Sequence, residues 1–150
     1  EVQAREWGIN NYVKMDGNIG CMLNGAGLAM AANDLIQYCG GKAANFLDVG
    51  TVNNIDRVVN SFRMFLSDPQ VKTVLINIFG GIARVDTIAQ GIVAAYQQLN
   101  IRFPVVIRLA GTNLEEGKRI LAESGISFIE ANDFYDGAYK AVEAAKEATK

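Results

Sequence analysis

The chain has 150 residues, half of them hydrophobic and a fifth charged, with a formal net charge of −2 and no histidine. That composition suits one globular domain able to bury roughly 70% of its unfolded surface; it excludes a disordered chain and offers no basic face to nucleic acid. No apolar run reaches the 18 or so residues that a bilayer-crossing helix needs.

In chain order, Tyr12-Val13-Lys14-Met15 and Asn18-Ile19-Gly20-Cys21-Met22-Leu23 flank Asp16-Gly17, a hairpin signal. Asn24-Gly25-Ala26-Gly27 leads into an Ala-rich helix that Gly40-Gly41 terminates. Asn45-Phe46-Leu47-Asp48-Val49 reads as a short buried strand ending at Gly50. Ile55, Val58, Val59, Phe62, Phe65 and Leu66 then recur at helical spacing, an apolar stripe stopped by Asp68-Pro69. Val74-Leu75-Ile76-Asn77-Ile78-Phe79 is the most strand-like run, with Gly80-Gly81 directly after it. The next helix turns Val85, Ile88, Ala89, Ile92, Tyr96 and Leu99 to the core. Pro104–Leu109 is a further strand, closed by Gly111. Asn113 is placed to cap the following helix, with Glu115 and Glu116 in its first turn where acids suit the dipole. Gly125 ends that helix, Ile126–Ile129 forms a short strand, and Asp133 caps the last helix, which buries Ala138, Ala141, Val142 and Ala145.

Continuous apolar strands alternating with helices predict a parallel sheet covered on both faces. The fold class is α/β, a flavodoxin-like doubly wound parallel sheet with an N-terminal β-hairpin extension, in a single domain over 1–150. Ligands of such sheets sit beyond the carboxyl ends of the strands. Residues 24–27, 50–54, 80–83 and 110–113 all follow strands and are the segments to inspect.

Three candidate sites stand in or beside them, each with a plainer reading. Phe79-Gly80-Gly81-Ile82-Ala83 either seats an anion on the N–H groups of Gly81, Ile82 and Ala83 at a helix N-terminus, or is a tight turn needing glycine's positive φ. Asn24 either donates its amide to a ligand carboxylate or caps the helix that starts beside it. Arg108 either grips an acidic group with both guanidinium edges or makes a structural ion pair or partner contact. Cys21 and Cys39 have no metal or redox spacing and read as buried free thiols of a reducing compartment. A catalytic cysteine would want a histidine base, which is absent. No metal site is expected.

Four strings in this order resemble the carboxyl-terminal domain of the β subunit of succinate–CoA ligase: Asp16-Gly17-Asn18-Ile19-Gly20-Cys21-Met22, Asn24-Gly25-Ala26-Gly27-Leu28-Ala29-Met30, Ala44-Asn45-Phe46-Leu47-Asp48-Val49-Gly50 and Asn77-Ile78-Phe79-Gly80-Gly81-Ile82. The resemblance runs from about Tyr12 to Ala145. It implies that residues 1–11 are linker from an ATP-grasp domain outside this sequence. It also implies an acid–thiol ligase subunit, inactive alone, whose partner α subunit carries a phosphohistidine. The phosphoryl group passes to succinate, and the thiol of CoA then displaces phosphate from succinyl phosphate. Asn24, Gly81, Ile82 and Ala83 would contact the dicarboxylate, and the helix start at Gly80–Ala83 would face the phosphohistidine. This domain would bind no cofactor itself, while the full enzyme uses ATP or GTP, Mg²⁺ and CoA. The compartment implied is the mitochondrial matrix in a eukaryote or the cytoplasm in a bacterium, with no membrane or nucleic acid partner.

Two departures from the family pattern are Thr51-Val52-Asn53-Asn54, where more glycines are usual, and Ala110, where Glu or Gln is common. They bear on substrate preference and partner fit. A malate–CoA or related ligase subunit is the near alternative. A flavodoxin-like module for FMN or a nucleotide is the distant one, although the sole tryptophan, Trp7, lies outside the loops. A phospho-acceptor receiver domain would want Asp where the central strand offers Asn77.

Overall fold

β-branched and aliphatic runs too short for helices supply the strands, and 3.6-residue stripes supply the helices between them. The computed structural model describes residues 12–23, 26–48, 55–78, 85–101, 103–110, 113–126, 128–131 and 133–148. In chain order these form β1 (Tyr12–Lys14), β2 (Ile19–Leu23), α1 (Ala26–Tyr38), β3 (Ala43–Asp48), α2 (Ile55–Ser67) and β4 (Thr73–Ile78). Then follow α3 (Val85–Gln98), β5 (Val105–Leu109), α4 (Leu114–Glu123), β6 (Ile129–Glu130) and α5 (Phe134–Ala148). Every residue of β2 and β4 is buried, the pattern of parallel strands covered on both sides.

The sheet order is β1-β3-β2-β4-β5-β6, with β3, β2, β4, β5 and β6 all parallel. The doubly wound parallel sheet is as expected; the entry hairpin is not. β1 runs antiparallel to β3, pairing Tyr12 with Leu47 and Lys14 with Asn45, so β3 lies between the two arms of the expected hairpin. The turn is held by β3 instead of by its own arms. Met15 N–H donates to the Ala44 carbonyl at 2.7 Å, Gly17 N–H to Ala43 at 2.8 Å and Asn18 N–H to Lys42 at 3.1 Å. β3 offers β1 an open edge with free main-chain groups, and pairing there satisfies them.

Gly17 is held in this crossing by contact. A Cβ on it would lie 2.1 Å from the Lys42 carbonyl oxygen. Gly17→Val is therefore expected to destabilise the chain by about 1–3 kcal/mol, the usual cost of forcing atoms into occupied space. The check is a lowered urea midpoint at unchanged slope.

Two apolar layers flank the sheet. α2, α3 and α4 cover one face through Val58, Phe62, Phe65, Ile88, Ile92 and Leu121. There Phe62 stands edge-on to Phe65 and Tyr96 at centroid distances of 6.0 and 6.2 Å, and Tyr96 to Phe128 at 5.3 Å. α1 and α5 cover the other face through Ala32, Ile36, Ala138, Ala141, Val142 and Ala145 against Ile19, Cys21, Leu75 and Val106. The three alanines that α5 turns to the sheet leave little side-chain bulk between helix and strands.

The helix ends largely follow their signals. Gly40 and Gly125 take φ of 90° and 75° just past α1 and α4, a conformation glycine adopts without steric cost. Asp133 Oδ1 accepts from Asp136 N–H at 2.8 Å, the expected cap of α5. Asn113 is different: at the start of α4 it adopts φ 63° and makes no side-chain cap bond. Asparagine tolerates left-handed backbone better than most residues, and here that tolerance is used in place of its capping oxygen. β6 is the two residues Ile129–Glu130, paired with Val106 and Ile107, and not the expected Ile126–Ile129; Ser127 lies outside the described residues.

Candidate functional site

The helices that follow β2 and β4 lie on opposite faces of the sheet, α1 on one and α3 on the other. Adjacent parallel strands whose crossovers part in this way leave a crevice at their carboxyl ends, where ligands of open α/β sheets bind. Leu23 is the register partner of Asn77, so the segments after β2 and β4 leave the sheet from neighbouring strands. Those segments contain the candidate residues Asn24, Gly80, Gly81, Ile82 and Ala83, which lie outside the described residues. Thr51-Val52-Asn53-Asn54, Gly50 and Gly111 lie outside them too.

Below the crevice, register aligns Asp48, Leu23, Asn77 and Arg108 across β3, β2, β4 and β5. Leu23 is buried and Arg108 half-buried. Ala110 N–H donates to the Ile78 carbonyl at 2.9 Å and ties the end of β5 to that of β4.

Asn77 is the residue that sequence reasoning passed over as a binding group. It is 0% exposed, and neither its Oδ1 nor its Nδ2 has a hydrogen-bond partner among the described residues. Other buried polar side chains keep at least one bond: Asn45 Oδ1 accepts from Cys21 N–H at 3.2 Å, and Asp68 Oδ1 from Gln70 N–H at 2.9 Å. Each unpaired buried group costs about 1–3 kcal/mol, so the carboxamide is an unfavourable choice for packing alone. The available signal was an asparagine in the otherwise aliphatic run Val74–Ile78.

Among the described residues one cleft opens at this carboxyl edge and another away from it. One of about 280 Å³ lies between α4 and the ends of β5 and β6, lined by Arg108, Ala110, Lys118 and Glu130 among others. The small Ala110 side chain leaves room there. A larger cleft of about 380 Å³, including Asp16, Asn18, Lys42, Gln70 and Lys146, opens at the opposite edge, where strands begin. Strand ends with a switch point and an orphaned amide outweigh size, and the functional reading stays with the carboxyl edge.

Both cysteines are free, Cys21 buried and Cys39 partly so. Burial drives the Cys21 thiol well above the ordinary range and raises Cys39 as well, which keeps both protonated and poorly nucleophilic. In the native 150-residue chain, a thiol reagent at pH 8 is expected to modify Cys39 slowly and Cys21 only as the chain unfolds. Prompt reaction of both would contradict the packing described.

The CoA-ligase family model matches residues 22–142. The succinate–CoA ligase [ADP-forming] subunit beta of Aquifex aeolicus is 58% identical over 145 residues, 97% of this chain and 37% of that protein. The protein of the same name from Xanthomonas oryzae pv. oryzae is 55% identical over 148 residues, covering 99% and 38%. The chain thus spans little more than a third of the length of the curated relatives it matches. Among solved structures, PH0766 of Pyrococcus horikoshii shares the fold at a TM-score of 0.71 and 16% identity, over 91% of this chain and 37% of that one. A dinucleotide-forming acetyl-coenzyme A synthetase 1 of Ca. Korarchaeum cryptofilum does so at 0.64 and 15%, over 97% and 36%. With its switch point, sheet order and a family match across four-fifths of its length, the chain belongs to the CoA-ligase family.

Proposed function

We propose that the chain is the carboxyl-terminal domain of a succinate–CoA ligase β subunit, working with an α subunit that bears the phosphorylated histidine. The observation carrying this reading is the 58% identity to a protein of that name over 97% of the chain. The absence of histidine from these 150 residues accords with it, since the phosphoryl carrier then lies outside them. In this reading the Asn24 carboxamide and the main-chain N–H groups of Gly81, Ile82 and Ala83 hold the dicarboxylate, with Gly80 opening the turn. A phosphoryl group moving from imidazole to carboxylate stays multiply charged throughout, and fixed N–H donors stabilise that charge without reorganising. Attack by CoA on succinyl phosphate completes the ligation. Nucleotide and Mg²⁺ fall to the rest of the β polypeptide, and the bacterial relatives make the cytoplasm the expected compartment.

The test is co-expression of the full-length β subunit with its cognate α subunit, followed by gel filtration and turnover with succinate or malate. Co-elution and preference for succinate are expected; separate elution or preference for malate would overturn the reading. In the same enzyme, Asn24→Ala is expected to raise the dicarboxylate KM tenfold or more and leave the nucleotide KM within about twofold, as loss of a substrate hydrogen bond demands. Equal changes in both would reduce Asn24 to a helix cap.

A further inference from the structure

We propose that Asn77 is a further substrate-contacting residue, its Nδ2 donating a hydrogen bond to an oxygen of the bound dicarboxylate at the carboxyl edge of the sheet. The inference rests on the functional reading above for the guest, but its grounds are described residues alone. Asn77 sits next to last in β4, in register with Leu23 on one side and Arg108 on the other. Side chains alternate along a strand. Leu75, two residues earlier, belongs to the α1–α5 layer, so Asn77 points to that side. There α1 leaves β2 and its positive end begins.

The carboxamide at this point is fully buried, yet both of its polar atoms lack partners among the described residues. Native cores rarely leave both ends of one amide unused. The neighbouring positions of β4 are aliphatic and equally buried, so shape gives no reason for asparagine over leucine. A neutral donor of fixed orientation suits a carboxylate: it adds a hydrogen bond and no buried charge.

The experiment uses the assembled full-length enzyme carrying Asn77→Leu or Asn77→Asp, with succinate and nucleotide varied separately and melting followed in parallel. Leucine has similar bulk and nothing to satisfy, so Asn77→Leu is expected to melt no lower than wild type. Its succinate KM should nevertheless rise at least tenfold, with the nucleotide KM within about twofold. Asn77→Asp keeps the shape but turns the donor edge into a second negative charge, and its succinate KM should rise further. A raised melting temperature with unchanged succinate KM in Asn77→Leu would make the residue a tolerated packing defect and overturn the proposal. If Asn77→Leu does not assemble, the ratio of the two KM changes in Asn77→Asp decides on the same terms. Wild-type enzyme inactive on succinate would instead overturn the functional reading, and this inference with it.

Discussion

Gly81→Asp in the assembled enzyme is expected to lower kcat/KM for the dicarboxylate by about 10³-fold and to leave the nucleotide KM nearly unchanged. In the proposed site the donors at Gly81 are main-chain N–H groups, which mutation cannot delete, but a side chain there would fill the space before them and bring a negative charge to it. A carboxylate about 4 Å from a bound anion repels it by about 4 kcal/mol at an effective dielectric of about 20. At about 1.4 kcal/mol per factor of ten, that is roughly 10³ in rate. The loss of one preorganised donor is worth about 10²–10³ by itself, so charge and blocked donation act in the same direction. Gly81→Val crowds the same space without charge and is expected to cost less. The check is a steady-state comparison of both variants. Equal losses from valine and aspartate would mean that no anion approaches Gly81.

Phe62→Ala is expected to remove about 3–5 kcal/mol of stability, the range for truncating a large buried aromatic side chain. Phe62 is fully buried in the α2–α3–α4 layer and meets both Phe65 and Tyr96 edge-on. Its loss removes transfer free energy and leaves a cavity that two rings held apart by their own helices cannot refill. Against a typical total of about 5–15 kcal/mol, this is a large fraction, and the melting temperature should fall by roughly 10 °C. Calorimetry and urea titration check the value. A loss below about 1 kcal/mol would mean that the layer repacks freely.

The α2 stripe was legible because amphipathic periodicity is local: the residues that repeat every three or four positions are those that meet one apolar layer. The Asp133 cap and the left-handed Gly125 were legible for a similar reason, since both act within a few bonds of their own position. Asn113 was half legible. The helix starts where it implies, but asparagine serves two local purposes, capping and left-handed backbone, and composition does not choose between them. Of the candidate site, the sequence identified the strand ends; the glycine turns expected after them lie outside the described residues. Sequence reasoning passed over Asn77, because a polar residue in a strand is informative only once its surroundings are known.

Alternation of short apolar strands with amphipathic helices was enough to determine the doubly wound class, whose ligands generally bind at the carboxyl ends of the strands. Covalent neighbours and repeat distances carry that information directly. Tertiary structure alone decided that β1 joins β3 instead of β2, since the turn at Gly17 permits either and the choice depends on which edge has main-chain groups to satisfy. It alone also set Asn77 in register between Leu23 and Arg108 and closed water away from its amide. Register and burial are sums over residues far apart in the chain, which no local pattern contains.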